Sequence, residues 1–270
     1  LDTDFKEEIL AQFTDRIMAN ANISAVIFNN VLITSKVYQW LETLNKHRWI
    51  KTVKSKGKRY LIPVKQEQTA QLSSFKSKSI KRHAKQFFAD SHWHVVLIND
   101  SAALTKFYPQ LIKEHNSAWR KRGKIGAFEQ TDFVAFHRLF SHEMLANNKL
   151  VAFKLEHEDE VSALFYGIID GDTLYYYQSA VNHESKLSSA GVAMHVIALN
   201  IARENNLAFY DLMKGSNDSY KTRYIQSDIQ VVNCSLFNKR YYMLKVICSY
   251  YKKVVLRILT CLKLSNHSKK

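Results

Sequence analysis

Proline and glycine are scarce, 2 and 7 in 270 residues. That scarcity excludes collagen-like and linker-dominated chains. Cysteine is rarer than glycine. Cys234, Cys248 and Cys261 are odd in number and lack metal-ligand spacing, so no disulfide framework is expected and a reducing compartment, the cytoplasm, is. No apolar run is long enough to span a bilayer, and no secretory signal opens the chain. The first residue is Leu1 rather than Met, which points to a trimmed segment of a longer protein. Phosphate loops of the GxxxxGK[ST] kind, GxGxxG, HExxH, paired CxxC and GxSxG elbows are all missing. His92 and His94 stand two apart, half of a metal site, but no carboxylate or cysteine cluster follows, so no metal is expected.

Acidic residues are outnumbered 24 to 39, giving a net charge of +15, and from Lys239 onward there are none. Such a balance favours anionic partners: phosphorylated cofactors, nucleotide sugars, RNA or an acidic membrane surface. Hydrophobic residues make up 46% of the chain, enough for a packed core. The length suits one large domain or two small ones.

The chain is organised around Leu150 to Lys221. Three strands are expected at Leu150–His157, Glu160–Asp170 and Asp172–Val181, with Asp159-Glu160 and Gly171-Asp172 as tight turns. Ser189–Asn206 then repeats apolar residues at helical spacing (Val192, Val196, Leu199), with Ser188 or Ser189 able to cap its start. Leu207–Gly215 reads as a short buried strand. A meander feeding a helix whose first turn holds small residues suits an anionic ligand, because free amides and the helix dipole both favour one.

Upstream, Ala102–Arg120 reads as a helix capped by Ser101, with His115 and Trp119 neighbours at i and i+4. A loop, Arg122–Gln130, carries Gly123 and Gly126, and Thr131 or Asp132 opens a further helix through Asn147. Taken in order, His115, Trp119, Gly123, Gly126, the meander, Ser189-Ala190-Gly191 and Tyr210-Asp211…Gly215…Tyr220-Lys221 resemble the GNAT acyltransferases. Within them they resemble the CelD-type acetyltransferase domain of bacterial polysaccharide gene clusters, and more distantly the FemABX ligases. The likeness covers about residues 74–238 and departs at Ala190, where that family usually has proline. It implies an α/β fold, a GNAT-like mixed sheet flanked by helices, preceded by a partial second GNAT-like or winged-helix-like segment.

The resemblance also implies an acyl-CoA donor, acetyl-CoA in the simplest case, and an amine acceptor linked to envelope or exopolysaccharide synthesis. The CoA pyrophosphate would rest on the amides of Ser189, Ala190, Gly191 and Val192. Asp211, Lys221 and Tyr220 are the catalytic candidates: Asp211 to orient the acceptor, take a proton or cap the next turn at Ser216 or Asn217; Lys221 to offset charge on a carbonyl or phosphate; Tyr220 to pack and hydrogen-bond. His115 and Trp119 would form a wall of the acceptor pocket, with Tyr177 also facing substrate. Tyr176 should face opposite to Tyr175 and Tyr177.

Elsewhere, helices are expected over Asp4–Asn20 (Phe5, Ile9, Phe13 and Ile17 on one face) and Lys36–Lys46, with a strand at Ser24–Leu32 between them. Trp49–Val64 reads as a hairpin turning at Lys56-Gly57. Lys51, Lys54, Lys56, Lys58 and Arg59 would line a winged-helix wing, form the solvated face of an edge hairpin, or belong to the remnant of a first GNAT half. Lys65–Ser73 is the expected boundary, followed by a basic helix, Ser74–Asp90, that either contacts phosphate or links domains. A core domain over 91–238 is followed by an amphipathic basic helix, Lys239–Leu264, with Leu244, Ile247, Tyr251, Val254, Ile258 and Leu262 at helical spacing. That helix can dock on protein or on an anionic membrane. Besides N-acyl transfer, two other functions remain open: aminoacyl transfer from charged tRNA, and DNA binding through a winged-helix-like N-terminus.

Overall fold

The computed structural model describes residues 3–20, 22–44, 49–64, 75–89, 91–158, 160–182, 189–216, 220–224 and 228–252, with no side chains for 3–7, 18 and 19. The expected linker Lys65–Ser73, the residues Ser74, Asp90, Asp159, Ser188, Asn217 and Cys261, and the helical positions Val254, Ile258 and Leu262 lie outside the described residues.

The chain forms two compact units, one of Leu1–Gly57 with Gln230–Lys270, the other of Lys58–Ile229. In the first, α1 (Thr3–Ala19), β1 (Ala25–Leu32), α2 (Lys36–Thr43) and the start of β2 (Trp49–Pro63) join β8 (Ile229–Asn238). β1 pairs antiparallel with β8, from Ala25 opposite Phe237 to Leu32 opposite Val231. Ile17, Val31, Leu41, Trp49, Val232, Cys234 and Leu236 fill the core. Ser35 caps α2 as expected, accepting the Tyr38 amide at 3.2 Å. On α1, Ile17 is buried while Ile9 and Phe13 stay largely exposed.

The hairpin expected at Trp49–Val64 is not formed. β2 is one strand of 15 residues that passes through Gly57 without reversing. A tight two-residue turn needs its positive φ placed within a reversal; the single positive φ here, 116° at Gly57, only bends the strand. The winged-helix alternative thereby loses its wing.

In the second unit, six strands run in the order β2-β7-β6-β5-β4-β3. β3 is Trp93–Leu97, and the meander β4 (Leu150–His157), β5 (Glu160–Asp170) and β6 (Thr173–Val181) follows the expected boundaries closely. β7 (Phe209–Gly215) lies antiparallel to β2 and parallel to β6, so the sheet is mixed.

Strand alternation sends residues to two cores. Phe153, Leu155, Phe165 and Leu174 meet α3 (Lys78–Ala89) and α6 (Ala190–Glu204) on one face. Ala152, Leu164, Tyr166 and Ala180 meet α4 (Ser101–Arg120) on the other, where α5 (Thr131–Ala146) adds Phe133, Val134 and Leu145. α3 is therefore no linker: Ile80, Ala84 and Phe87 are buried in the core, and its basic residues Lys78, Arg82 and Lys85 take the outer face.

Several caps differ from expectation. Asp100, not Ser101, caps α4, accepting the Ala103 amide at 2.8 Å, because a carboxylate one residue earlier reaches the first free amides. Gln130 occupies the cap position of α5, so Thr131 and Asp132 fall inside its first turn. α5 turns His137 and Ser141 inward while Phe136 and Leu139 are exposed. In the first unit, a helix, α7, spans 239–252 with Leu244, Ile247 and Tyr251 exposed; among the described residues no helix is long and apolar enough to cross a membrane.

Gly167 on β5 has no room for a side chain: a Cβ would lie 2.6 Å from Phe165 Cε1 and 2.9 Å from the Tyr175 carbonyl. Gly167→Ala is predicted to lower stability by about 1–3 kcal/mol, since the backbone oxygen cannot rotate away. Urea unfolding checks it; an unchanged midpoint would contradict this packing.

Candidate active site

β6 and β7 part company early. They pair at Thr173 with Phe209, Leu174 with Tyr210 and Tyr175 with Asp211, and no further. Each strand carries an irregularity just beyond that point. On β6 the register against β5 slips between Tyr166–Gln178 and Gly167–Tyr176, so Tyr177 is the extra residue of a bulge. On β7, Leu212 and Met213 together oppose Tyr60, and Met213 adopts φ 62°. Bulges bend and twist the strand that carries them. The outcome is a gap in the ladder, a wedge, beyond Tyr175 and Asp211.

Two charged side chains fix the β7 kink. Asp211 is fully buried; one carboxylate oxygen accepts the Met213 amide at 2.7 Å and the other accepts the Arg59 guanidinium, which also lies 5.4 Å over the Tyr175 ring. Burial raises the Asp211 pKa, and Arg59, the Met213 amide and Lys221 oppose that rise. Lys221 donates to the carbonyls of Leu212 and Lys214, on either side of Met213. Burial pushes its pKa down to about 8, and the Asp211 charge pulls it back up. Both are thus occupied in holding backbone, and Asp211 caps Met213 rather than Ser216.

The wedge wall on the α6 side is aromatic. His195 donates to or accepts from the Tyr210 hydroxyl at 2.7 Å, with ring centroids of Tyr176 and Tyr224 at 4.9 and 4.8 Å. Burial, and then Lys221, lower the His195 pKa to about 3. Tyr220 is 49% exposed at the edge of this cluster. Its pKa is raised, by desolvation first and then by Tyr176, while Arg122 works against the rise.

On the opposite face, His115 Nε2 accepts the Trp119 indole N–H at 2.9 Å, which leaves Nδ1–H to donate to Asn116 at 3.3 Å. Burial lowers the His115 pKa, the contacts with Asn116 and Gln178 raise it, and Arg122 lowers it further. Tyr177 turns away from Tyr220 and Lys221: its hydroxyl meets His137 Nε2 at 3.1 Å, beside Tyr166 on Nδ1 at 3.2 Å. Tyr176, opposite in direction to Tyr177, is the one of the tyrosine run that joins Lys221, whose ammonium lies 5.6 Å over its ring.

At the start of α6, Ser189 is left-handed, φ 70°, and makes no side-chain cap. Its carbonyl accepts the amides of Val192 at 2.8 Å and Ala193 at 3.1 Å. The amides of Ala190 and Gly191 take no acceptor among the described residues. Gly191 sits beside Val181, whose Cγ2 would be 3.4 Å from an added Cβ. Val181 also borders a cavity of about 210 Å³ lined by Lys113, Glu114, Ser117, Lys121 and Asn182.

Sequence reasoning missed Arg59, His195, Tyr224 and Arg122. His195 had a signal, a lone polar residue in an apolar helical run; Arg59 had none, its partner being 152 residues away. His94 pairs with Glu156 at 2.9 Å and the His92 ring meets His157; among the described residues no three potential ligands cluster.

A mixed sheet whose parallel pair, β6 and β7, stops after three residues, flanked by helices, is an α/β fold. The family model described as acetyltransferase (GNAT) domain matches residues 74–222, and the chain belongs to this family of GNAT acyltransferases. No curated protein matches the chain. Among solved structures, FemX is similar at 12% identity and TM-score 0.63, over 88% of this chain and 78% of that one. A conserved protein of unknown function from Bacteroides thetaiotaomicron VPI-5482 is similar at 12% identity and TM-score 0.61, over 85% and 75%. The C-terminal domain of a putative lysylphosphatidylglycerol synthetase from Agrobacterium fabrum aligns at 10% identity and TM-score 0.59, over 91% and 78%.

Two outcomes follow for variants of this site. Lys221→Met removes the donor to two carbonyls and is predicted to lower stability by about 1–3 kcal/mol, measured by urea unfolding; no loss would show that the ammonium does not hold the kink. Below about pH 6.5 the unfolded chain protonates its His195 while the folded protein does not, so stability falls as pH drops toward about 3, by on the order of 1.4 kcal/mol per pH unit for this group. His195→Gln should flatten the decline seen in urea midpoints on acidification, leaving the part due to His115 and His137, whose pKa values are also lowered.

Proposed function

We propose that the protein is an N-acyltransferase that moves an acyl group, acetyl in the simplest case, from acyl-CoA to an amine. The observation that carries this is the wedge between β6 and β7, with two amides at the start of α6 that take no acceptor among the described residues. A thioester threaded into the wedge reaches a place where neither strand supplies a ladder partner. The Ala190 and Gly191 amides suit the CoA pyrophosphate, with Ser189 and Val192 shaping the turn. Tyr177, the bulged residue, has no partner in the register with β5, and its amide suits the growing oxyanion. The amine attacks the thioester carbonyl, a C–N bond forms, the C–S bond breaks, and CoA leaves as thiolate. Tyr220 stays protonated and suits delivery of a proton to that sulfur, while the acceptor's proton passes to solvent. Asp211 and Lys221 act here by positioning β7, and His115 with Trp119 forms a wall for the acceptor.

The CelD-type resemblance supports an amino-sugar acceptor of envelope or exopolysaccharide synthesis, and a cytoplasmic enzyme peripheral to the inner membrane. Contact with anionic lipid would run through residues 239–252, where Leu244, Ile247, Tyr250 and Tyr251 are exposed alongside Lys239, Arg240 and Lys252. Aminoacyl transfer from charged tRNA is the second candidate. The fold likeness to FemX and the exposed Lys76, Lys78, Arg82 and Lys85 favour it. A steep fall of tRNA binding with salt would select it.

Acetyl-CoA should raise the melting temperature of the protein in a concentration-dependent way. In Gly191→Trp the indole meets Val181, and acetyl-CoA affinity is expected to fall about tenfold or more. Equal affinity in a folded variant would remove Gly191 from the donor site.

A further inference from the structure

The loop after α4 winds back on Trp119. The amides of Arg122 and Lys124 both donate to the Trp119 carbonyl at 3.0 Å, and Gly123 between them takes φ +67°, which admits the reversal. This brings both side chains onto one ring: the Arg122 guanidinium lies 5.8 Å and the Lys124 ammonium 5.9 Å from the Trp119 centroid. The ring itself is fixed, because its N–H is held by His115. His115 is held in turn by Asn116, against which Gly126 packs so tightly that a Cβ would lie 2.4 Å from the amide oxygen.

Among the described residues nothing neutralises the charges on this platform. Arg120, the neighbour, is paired with Glu129 at 2.7 Å. Arg122 and Lys124 have no ion-pair partner among the described residues, and both are exposed. Arg122 also acts electrostatically on Tyr220, so its charge reaches the wedge where the acyl group would be transferred.

We infer that Trp119, Arg122 and Lys124 form a phosphoryl subsite, and that the amine acceptor is a phosphorylated compound held there. A phosphomonoester carries close to two negative charges near neutral pH, matching two cations, and the indole face covers the ring or chain that bears it. Calling the bound compound the acceptor rests on the acyl-transfer reading; the phosphoryl subsite itself does not.

Calorimetric titration of the full chain at low ionic strength, with D-glucosamine 6-phosphate and D-glucosamine as probes, tests this. The phosphorylated amine should bind about tenfold or more tightly than the plain one, and Arg122→Gln combined with Lys124→Gln should erase the difference. The double variant should keep its melting temperature and its acetyl-CoA affinity. Equal affinity of the wild type for both amines would overturn the subsite, as would a preference that survives in the double variant. A parallel loss of acetyl-CoA affinity would assign the cations to the donor and overturn it also. Wild-type discrimination without any acetyl-CoA binding would sustain the subsite and sink the acyl-transfer reading alone.

Discussion

The site depends on a backbone kink held by charge. Met213 sits in a conformation that a side-chain-bearing residue adopts at a cost of on the order of 1–3 kcal/mol. Asp211 and Lys221 hold it from two sides, the first through the Met213 amide, the second through the carbonyls before and after. Arg59 neutralises Asp211 from the neighbouring strand. With β7 so fixed, it leaves β6 after three paired residues, and the sheet opens where an unbroken ladder would have closed it. A buried carboxylate is tolerated there because both its oxygens are satisfied.

The wedge acquires its chemistry from what each face contributes. Tyr176, His195, Tyr220 and Tyr224 make one wall nearly free of charge, with a neutral imidazole and phenols that stay protonated. His115, Trp119 and Arg122 make the other, and there a guanidinium has no ion-pair partner among the described residues. The two walls thus differ in character: one offers aromatic rings and hydroxyls, the other an indole and a guanidinium.

Much of this was legible in the sequence. The meander from Leu150 to Val181 was readable because strands of alternating residues are separated by turn dipeptides, and α6 because its apolar period is strong. The motif order around His115, Gly191 and Asp211 pointed to the family. Three things were not legible. Gly57 looked like a hairpin turn, since glycine signals permissive φ without saying whether the chain reverses. The Arg59–Asp211 pair joins residues far apart in sequence, and no local pattern encodes it. The register slip on β6 that makes Tyr177 the extra residue against β5 changes no residue type and leaves no periodic trace, whereas the opposite facing of Tyr176 and Tyr177 is plain alternation and was legible.

Amide hydrogen exchange with and without acetyl-CoA tests the central claim most directly. If the donor enters the wedge, peptides covering 189–192 and 176–178 should both gain protection on adding acetyl-CoA, since the amides named there would acquire acceptors. Protection confined to other segments, with both of these unchanged while acetyl-CoA is bound, would contradict the account.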